Sequence, residues 1–418
     1  MTLADAEYVL PLRWQDDRGL AELAGYLGRL VRWLPVTVVD GSDPDRFAAH
    51  ARAFPPEVRH VRPGPWPGGN GKVAGVVTGL ALATAERVVV ADDDVRYDAE
   101  TLRAVLDRLD HADVVRPQNV FDPLPWHARW DTARTLLNRA FGADYPGTLA
   151  LRRTALGPDG YDGDVLFENL ELLRTVHARG GTEHRADDVY VVRRPPEVAH
   201  FWRQRPRQAY DSLAQPARFA AELAVLPAFV VTARRRLGLL VLVAVAACAA
   251  AERGRRRSGG ATVFPASTTL LAPLWVLERG VCAWLALALR ATGGVPYAGR
   301  RLTRAATPPR ELRARAATPD RPGRDDAPGR DDAHDPHDHS PRHRAPGPAT
   351  DAPGRAERQR EPRAHAALEH PQRREERRRG REDRRAPGPA APRPRARAAR
   401  ALARRCRRPP PGPPPRAR

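Results

Sequence analysis

Three consecutive aspartates, Asp92, Asp93 and Asp94, follow directly on the apolar run Val88-Val89-Val90-Ala91. The length and branching of that run predict a strand buried on both faces. Carboxylates at the carboxyl end of such a strand face a crevice, and in open α/β sheets that crevice is where ligands bind. Alternate carboxylates, here Asp92 and Asp94, suit a hard divalent cation, which takes oxygen ligands and keeps positions open for a diphosphate. An acidic turn with solvated charges would read the same way in isolation, so the surroundings have to decide.

Lys72 is the only lysine of the chain; every other basic side chain that is always charged is arginine. A lysine retained against that bias presents a compact point charge to a phosphate, or it is a chance survivor. It ends the loop Pro63-Gly64-Pro65-Trp66-Pro67-Gly68-Gly69-Asn70-Gly71. This is no P-loop, because Trp66 stands where the first glycine belongs and Val73 follows the lysine instead of Ser or Thr. Nor does a G-x-G-x-x-G follow the first strand, which leaves a dinucleotide fold unsupported. Asp40, in Asp40-Gly41-Ser42-Asp43, sits at another strand end, where it can accept hydrogen bonds from a ligand or simply cap the turn.

The elements that must position these groups alternate. Apolar stretches at residues 8–12, 36–39, 58–61 and 87–91 predict strands, separated by helical spacing at 19–34, 48–54 and 73–85. Further on, 99–109 and 129–140 predict helices, and 113–117, 148–152 and 188–193 predict strands. Residues 164–178 read as strand, turn and helix, and 200–210 as a basic, aromatic loop or short amphipathic helix. Apolar strands alternating with helices predict an α/β domain over 1–212, its sheet covered on both faces.

Beyond that domain the character changes. Residues 237–251 carry no charge and are bracketed by Arg234-Arg235-Arg236 and Glu252-Arg253. Residues 263–289 are apolar apart from Glu278 and Arg279, and 219–233 are a weaker apolar stretch. Arginine clusters flanking apolar runs predict membrane-associated helices over 213–300, with the number of crossings open and a buried soluble pair as the alternative. The first ten residues lack a charged n-region and an apolar h-region, which predicts no signal peptide and a cytoplasmic first domain. The formal net charge is +20, and from Arg301 onward there are 32 Arg against 16 Asp and Glu, 22 of the 43 prolines and no aromatic residue. Such a segment cannot bury enough apolar area to offset its ordering entropy, so 301–418 is expected to be disordered. Its basic clusters are interspersed with acids and lack aromatics, which gives no specific nucleic-acid signal.

Six segments in order resemble glycosyltransferase family 2, specifically its membrane-associated branch. They are Pro11 and Arg13, Val39-Asp40-Gly41-Ser42, Gly69-Asn70-Gly71-Lys72, Ala91-Asp92-Asp93-Asp94, Gly163 through Asn169, and Gln204-Arg205-Pro206-Arg207-Gln208. The fourth looks like the family's D-x-D motif and the last like its Q-x-x-R-W motif. The resemblance implies a GT-A fold: a mixed, mostly parallel sheet with helices on both faces, followed here by membrane helices. It implies a nucleotide-sugar donor bound by Asp40, Lys72, Asp92, Gln204 and Arg207, and Mg2+ or Mn2+ on Asp92 and Asp94. It further implies inverting transfer to a lipid or lipid-linked acceptor at the cell membrane, with the catalytic domain cytoplasmic. Arg203, Arg205 and Arg207 could instead meet anionic lipid headgroups.

One departure bears on mechanism. The family's Glu-Asp pair, whose aspartate is the general base, is Glu168-Asn169 here, and an amide cannot take a proton from a hydroxyl. Glu168 or Asp164 would then supply the base, with Glu168 favoured, unless the register shifts or activity has been lost. Gln208 in place of the family's tryptophan is a milder departure. A lapsed membrane scaffold and a nucleotidyltransferase, which would consume a nucleoside triphosphate, are the competing classes.

Overall fold

The computed structural model describes Leu3 and residues 5–142 and 144–317. The expected disorder of 318–418 lies outside the described residues. The amino-terminal half runs β1 (Ala6–Leu12), α1 (Leu20–Leu30), β2 (Val36–Asp40), α2 (Pro44–Ala53), β3 (Arg59–Val61), α3 (Gly71–Leu82) and β4 (Arg87–Ala91). It continues through β5 (Val95–Arg96), α4 (Ala99–Asp107), β6 (Val114–Phe121), α5 (Trp126–Phe141), β7 (Thr148–Arg152), α6 (Glu168–Ala178), β8 (Glu183–Arg193) and α7 (Val198–Asp211). These eight strands form one mixed sheet in the order β3-β2-β1-β4-β7-β6-β8-β5. β7 runs antiparallel to both of its neighbours, and β5 runs antiparallel to β8.

Period-two alternation sends each strand's side chains to opposite cores. Tyr8, Leu10, Val38, Val89 and Ala91 pack under α1 and α4, against Leu23, Leu27, Leu102 and Leu106. Val9, Val88, Val90, Leu149 and Leu151 face α3 and α6, through Val73, Val76, Leu172 and Val176. The small residues of α3 are needed for that contact. A Cβ on Gly79 would lie 2.2 Å from Val9 Cγ1, and one on Gly75 would lie 2.9 Å from Pro11 Cβ.

Register brings the chemistry to one sheet edge. Leu12 pairs with Asp40 and Val9 with Val90, so the carboxyl ends of β1, β2 and β4 emerge together. β5, too short to announce itself in sequence, carries the chain from the acid triplet to the far edge and pairs Val95 with Arg193. Residues 164–167 form no strand, only a single bridge between Val165 and Arg304. α2 starts earlier than expected because Asp43 accepts from the Arg46 amide and Pro44 sets the first turn.

The chain then forms α8 (Pro216–Arg235), α9 (Leu237–Arg256), α10 (Ala272–Ala291), β9 (Val295–Tyr297), β10 (Arg300–Leu302) and α11 (Pro309–Ala317). Three of these helical stretches are long and apolar enough to cross a membrane: Pro216–Arg234, Leu237–Thr262 and Ala266–Ala291. They are not alike, since 11% of the first two apolar windows is buried against 39% of the third. α8 leaves the amino-terminal half at Phe219, which clusters with Leu213, and α9 returns to it at Ala251 and Gly254, which both pack on α5. α10 touches the amino-terminal half at both ends: Trp275 packs with Leu136, and Ala286 packs with Ala209. Residues 301–317, expected in the disordered segment, fold back instead, because Leu302, Ala305, Ala306 and Leu312 are buried.

Candidate active site

Asp92 follows the last residue of β4, and its amide donates to the Gly147 carbonyl at 2.8 Å. Gly147 leaves room for the carboxylate, since a Cβ there would sit 2.7 Å from Asp92 Oδ2. Lys72, on the first turn of α3, reaches Asp92 Oδ1 at 2.5 Å and also pairs with Glu168 Oε1 on the first residue of α6. Burial opposes the lysine's charge, but Asp92 and Glu168 outweigh it and hold its pKa above the ordinary value. Thus the lone lysine, the first aspartate and the favoured base are one cluster.

Asp94 is met from the other side. Arg193, at the end of β8, donates from Nε to Asp94 Oδ2 at 2.8 Å and places Nη2 3.6 Å from Asp92 Oδ2. Burial, reinforced by Asp92 and Asp93 and opposed by Arg193, pushes Asp94 up to about 6. Its Oδ1 is buried without a hydrogen-bond partner among the described residues. A spare carboxylate oxygen in an acid cluster of this kind fits a hard cation, so Asp92 and Asp94 are suited to Mg2+ or Mn2+. Asp93 faces the other way and accepts from Trp14 Nε1.

Trp14 joins this cluster to the second strand, because its amide donates to Ser42 Oγ at 2.9 Å. Asp40 is fully buried at the end of β2. His50 Nδ1 and His60 Nε2 donate to its Oδ2 at 2.6 and 3.0 Å, and the Ser42 amide donates to Oδ1 at 2.9 Å. Burial alone would raise this carboxyl; the bonds from His60, Ser42 and His50 hold it well below the usual range. His60 stacks on Phe47 with ring centroids 4.1 Å apart, and the Arg62 guanidinium covers the other ring at 4.2 Å. Asp40, His50 and His60 also form a group whose donor atoms could hold a metal ion, but their mutual hydrogen bonds already satisfy them.

The glycine-rich loop is fastened by residues far along the chain. Gly68 takes φ +110, and a Cβ there would strike the Gly163 carbonyl carbon at 2.3 Å. The Gly69 amide donates to Asp164 Oδ1 at 2.7 Å, and the Asn70 amide donates to the Gly163 carbonyl at 2.8 Å. Asp164 therefore anchors this loop and lies apart from the Lys72 cluster. Asn169 donates from Nδ2 to the Pro146 carbonyl at 3.0 Å, a structural bond that leaves Glu168 as the carboxylate beside Lys72.

On α7 the basic segment divides. The Arg207 guanidinium lies 4.7 Å over the Tyr297 ring, and Tyr297 in turn donates to Asn70 Oδ1 at 3.0 Å, so Arg207 belongs to the mouth of the site. Gln204 bonds His200 on its own helix. Arg205 cannot meet lipid: it is 2% exposed and its guanidinium holds Asp131 at 2.8 Å and Glu278 at 2.9 Å. Arg193, His50, His60 and Trp14 went unnoticed in the sequence, where each is an ordinary residue at a strand end or on a helix face. Only the final position of Arg193 in an apolar strand hinted at a role.

No curated protein matches the chain. Among solved structures, a mannosyltransferase from Pyrobaculum calidifontis in complex with GDP-Man and Mn2+ has TM-score 0.39 and 22% identity, covering 70% of this chain and 76% of that one. Mannosyl-3-phosphoglycerate synthase from Rubrobacter xylanophilus has TM-score 0.34 and 14% identity, over 48% and 70% of the two chains. Glucosyl-3-phosphoglycerate synthase from Mycobacterium tuberculosis, with Mn2+, UDP and phosphoglyceric acid, has TM-score 0.33 and 16% identity, over 48% and 74%. Residues 34–154 match the family model for glycosyl transferase family 2, a stretch that holds Asp40, Lys72 and the acid triplet. Residues 34–154 are thus similar to glycosyl transferase family 2, and they lie within one mixed sheet with helices on both faces.

Proposed function

We propose that the protein transfers a sugar, with inversion, from a nucleotide-sugar donor to a lipid or lipid-linked acceptor at the cytoplasmic face of the cell membrane. The observation that carries this reading is the bridge Asp92–Lys72–Glu168 at the sheet edge, which sets a diphosphate-binding cation beside a carboxylate base. The half-buried Phe47 and His60 rings, steadied from beneath by the buried Asp40, offer a binding surface for the nucleoside end of the donor. Lys72 exchanges a carboxylate for the donor diphosphate, and Arg207 approaches the same phosphates from α7. A divalent cation on Asp92 and Asp94 supplies charge that stabilises the departing nucleoside diphosphate.

Glu168 takes the proton of the acceptor hydroxyl as the hydroxyl oxygen attacks the anomeric carbon from the face opposite the leaving group. The exposed apolar surface of α8 and α9, including Val231, Leu242 and Val245, supports seating on a membrane. Calorimetry with UDP, GDP and dTDP in Mn2+ tests the donor half. Binding of at least one that is abolished in Asp92→Asn supports it, and no binding of any of them overturns it.

A further inference from the structure

Below Arg193, between α5, α7, α8 and α10, lies a cavity of about 140 Å³. Arg134, Arg193, Gln208, Asp211, Arg218 and Arg279 line it. Three of its four guanidiniums are already matched. Arg134 pairs with Asp144 at 2.6 Å, Arg193 with Asp94 at 2.8 Å, and Arg218 with Glu222 at 2.9 Å. Arg279 differs. It is 2% exposed, and neither its Nε nor its Nη1 has a hydrogen-bond partner among the described residues. Its neighbours Glu278 and Glu222 are bonded to Arg205 and Arg218, and they act on Arg279 only at longer range. The Trp275 ring, 5.1 Å from its guanidinium carbon, is its one close aromatic contact. An unpaired buried cation is a standing cost that a bound anion removes.

We propose that this cavity seats the anionic group of the acceptor, a phosphate borne on a membrane-resident chain, with Arg279 as its principal counter-ion. The proposal rests on the transferase reading above and specifies its acceptor. A planar guanidinium forks onto phosphate oxygens, and Gln208 and Arg218 line the same space. The location is apt on both sides. Phe167, which precedes the base Glu168, lines the cavity, and Arg193 links it to Asp92 and Asp94. On the outer side α10 exposes Val281, Trp284 and Leu285, along which an apolar chain can leave toward the bilayer. Among the described residues Asp211 is the one carboxyl in the lining, and its Oδ1 is buried there without a hydrogen-bond partner. Burial lifts its pKa to about 7 against the pull of Arg207 and with the push of Glu168, so the protonated form can donate to an anion's oxygen.

The test uses the full chain in detergent micelles without donor, titrated with tetradecyl phosphate, tetradecanol and inorganic phosphate. Tetradecyl phosphate binds, tetradecanol does not, and Arg279→Gln weakens the phosphate by at least about tenfold, whereas Arg279→Lys retains part of the binding. Arg103→Gln, on the exposed face of α4, leaves it unchanged. Equal binding of the alcohol, or an Arg279→Gln protein that binds as wild type does, overturns the proposal. Inorganic phosphate binding as tightly as the alkyl ester overturns the membrane-borne source. Nucleotide binding in Mn2+ is read on the same samples and reports folding. If Arg279→Gln loses it, Arg218→Gln serves as the second variant, and unweakened tetradecyl phosphate binding there counts against the site. Wild-type protein that binds nucleotide but not tetradecyl phosphate sinks this inference alone, and failure to bind nucleotide sinks the donor reading instead.

Discussion

Glu168 and Asn169 are adjacent in sequence and opposite in duty. The first meets Lys72 and the second is spent on a backbone carbonyl. Replacing Glu168 by Gln keeps the shape and removes the proton acceptor, so turnover should fall by about 10²–10⁴-fold, the usual worth of a general base, while calorimetric nucleotide affinity stays near wild type. Turnover equal to wild type would reassign the base. A second residue-scale prediction concerns Gly147, whose missing side chain makes space for Asp92. Gly147→Ala displaces that carboxylate and should weaken Mn2+-dependent nucleotide binding by about ten- to a hundredfold, the range for groups that orient metal ligands. The acid triplet and the lysine were legible in the sequence because their types are rare and their neighbours simple. Arg193 was not, because its partnership with Asp94 depends on a two-residue strand that crosses the sheet. The histidines around Asp40 were hidden for a similar reason: three separate elements converge on one buried carboxylate.

At the scale of elements, the apolar periodicity located most strands and helices of the catalytic half, since each face of the sheet has its own core. It failed where local pattern and long-range contact diverge. Residues 164–167 look like a strand but serve as the clamp of the glycine-rich loop, and 301–317 look solvated yet supply buried Leu302 and Leu312. Helix α3 offers a direct test of packing. Gly79→Ala places a Cβ into Val9 and should cost about 1–3 kcal/mol in unfolding free energy, the usual penalty for overpacking. Adding Val9→Ala should recover part of the loss, and an additive double mutant would show that the two sites are independent.

For the whole molecule, the three long apolar helices are not an appendage on a finished enzyme. Tyr297 reaches back to Asn70, and Arg304 pairs with the segment before Glu168, so the chain beyond α10 completes the site. A truncation after residue 212 should therefore lose nucleotide binding along with its long apolar helices, as calorimetry on the shortened protein would register. The same closure restricts the route through a bilayer. A polypeptide that departs from a body at Phe219 and rejoins it before Val295 can traverse the membrane only an even number of times, whatever the count of suitable helices. With α10 held to the catalytic half at both ends, α8 and α9 are the pair that a bilayer would have to accommodate, with Arg234, Arg235 and Arg236 at their junction. If that pair crosses, Arg236→Cys in a protein whose three native cysteines are replaced should react with an impermeant maleimide only from the side opposite the enzyme.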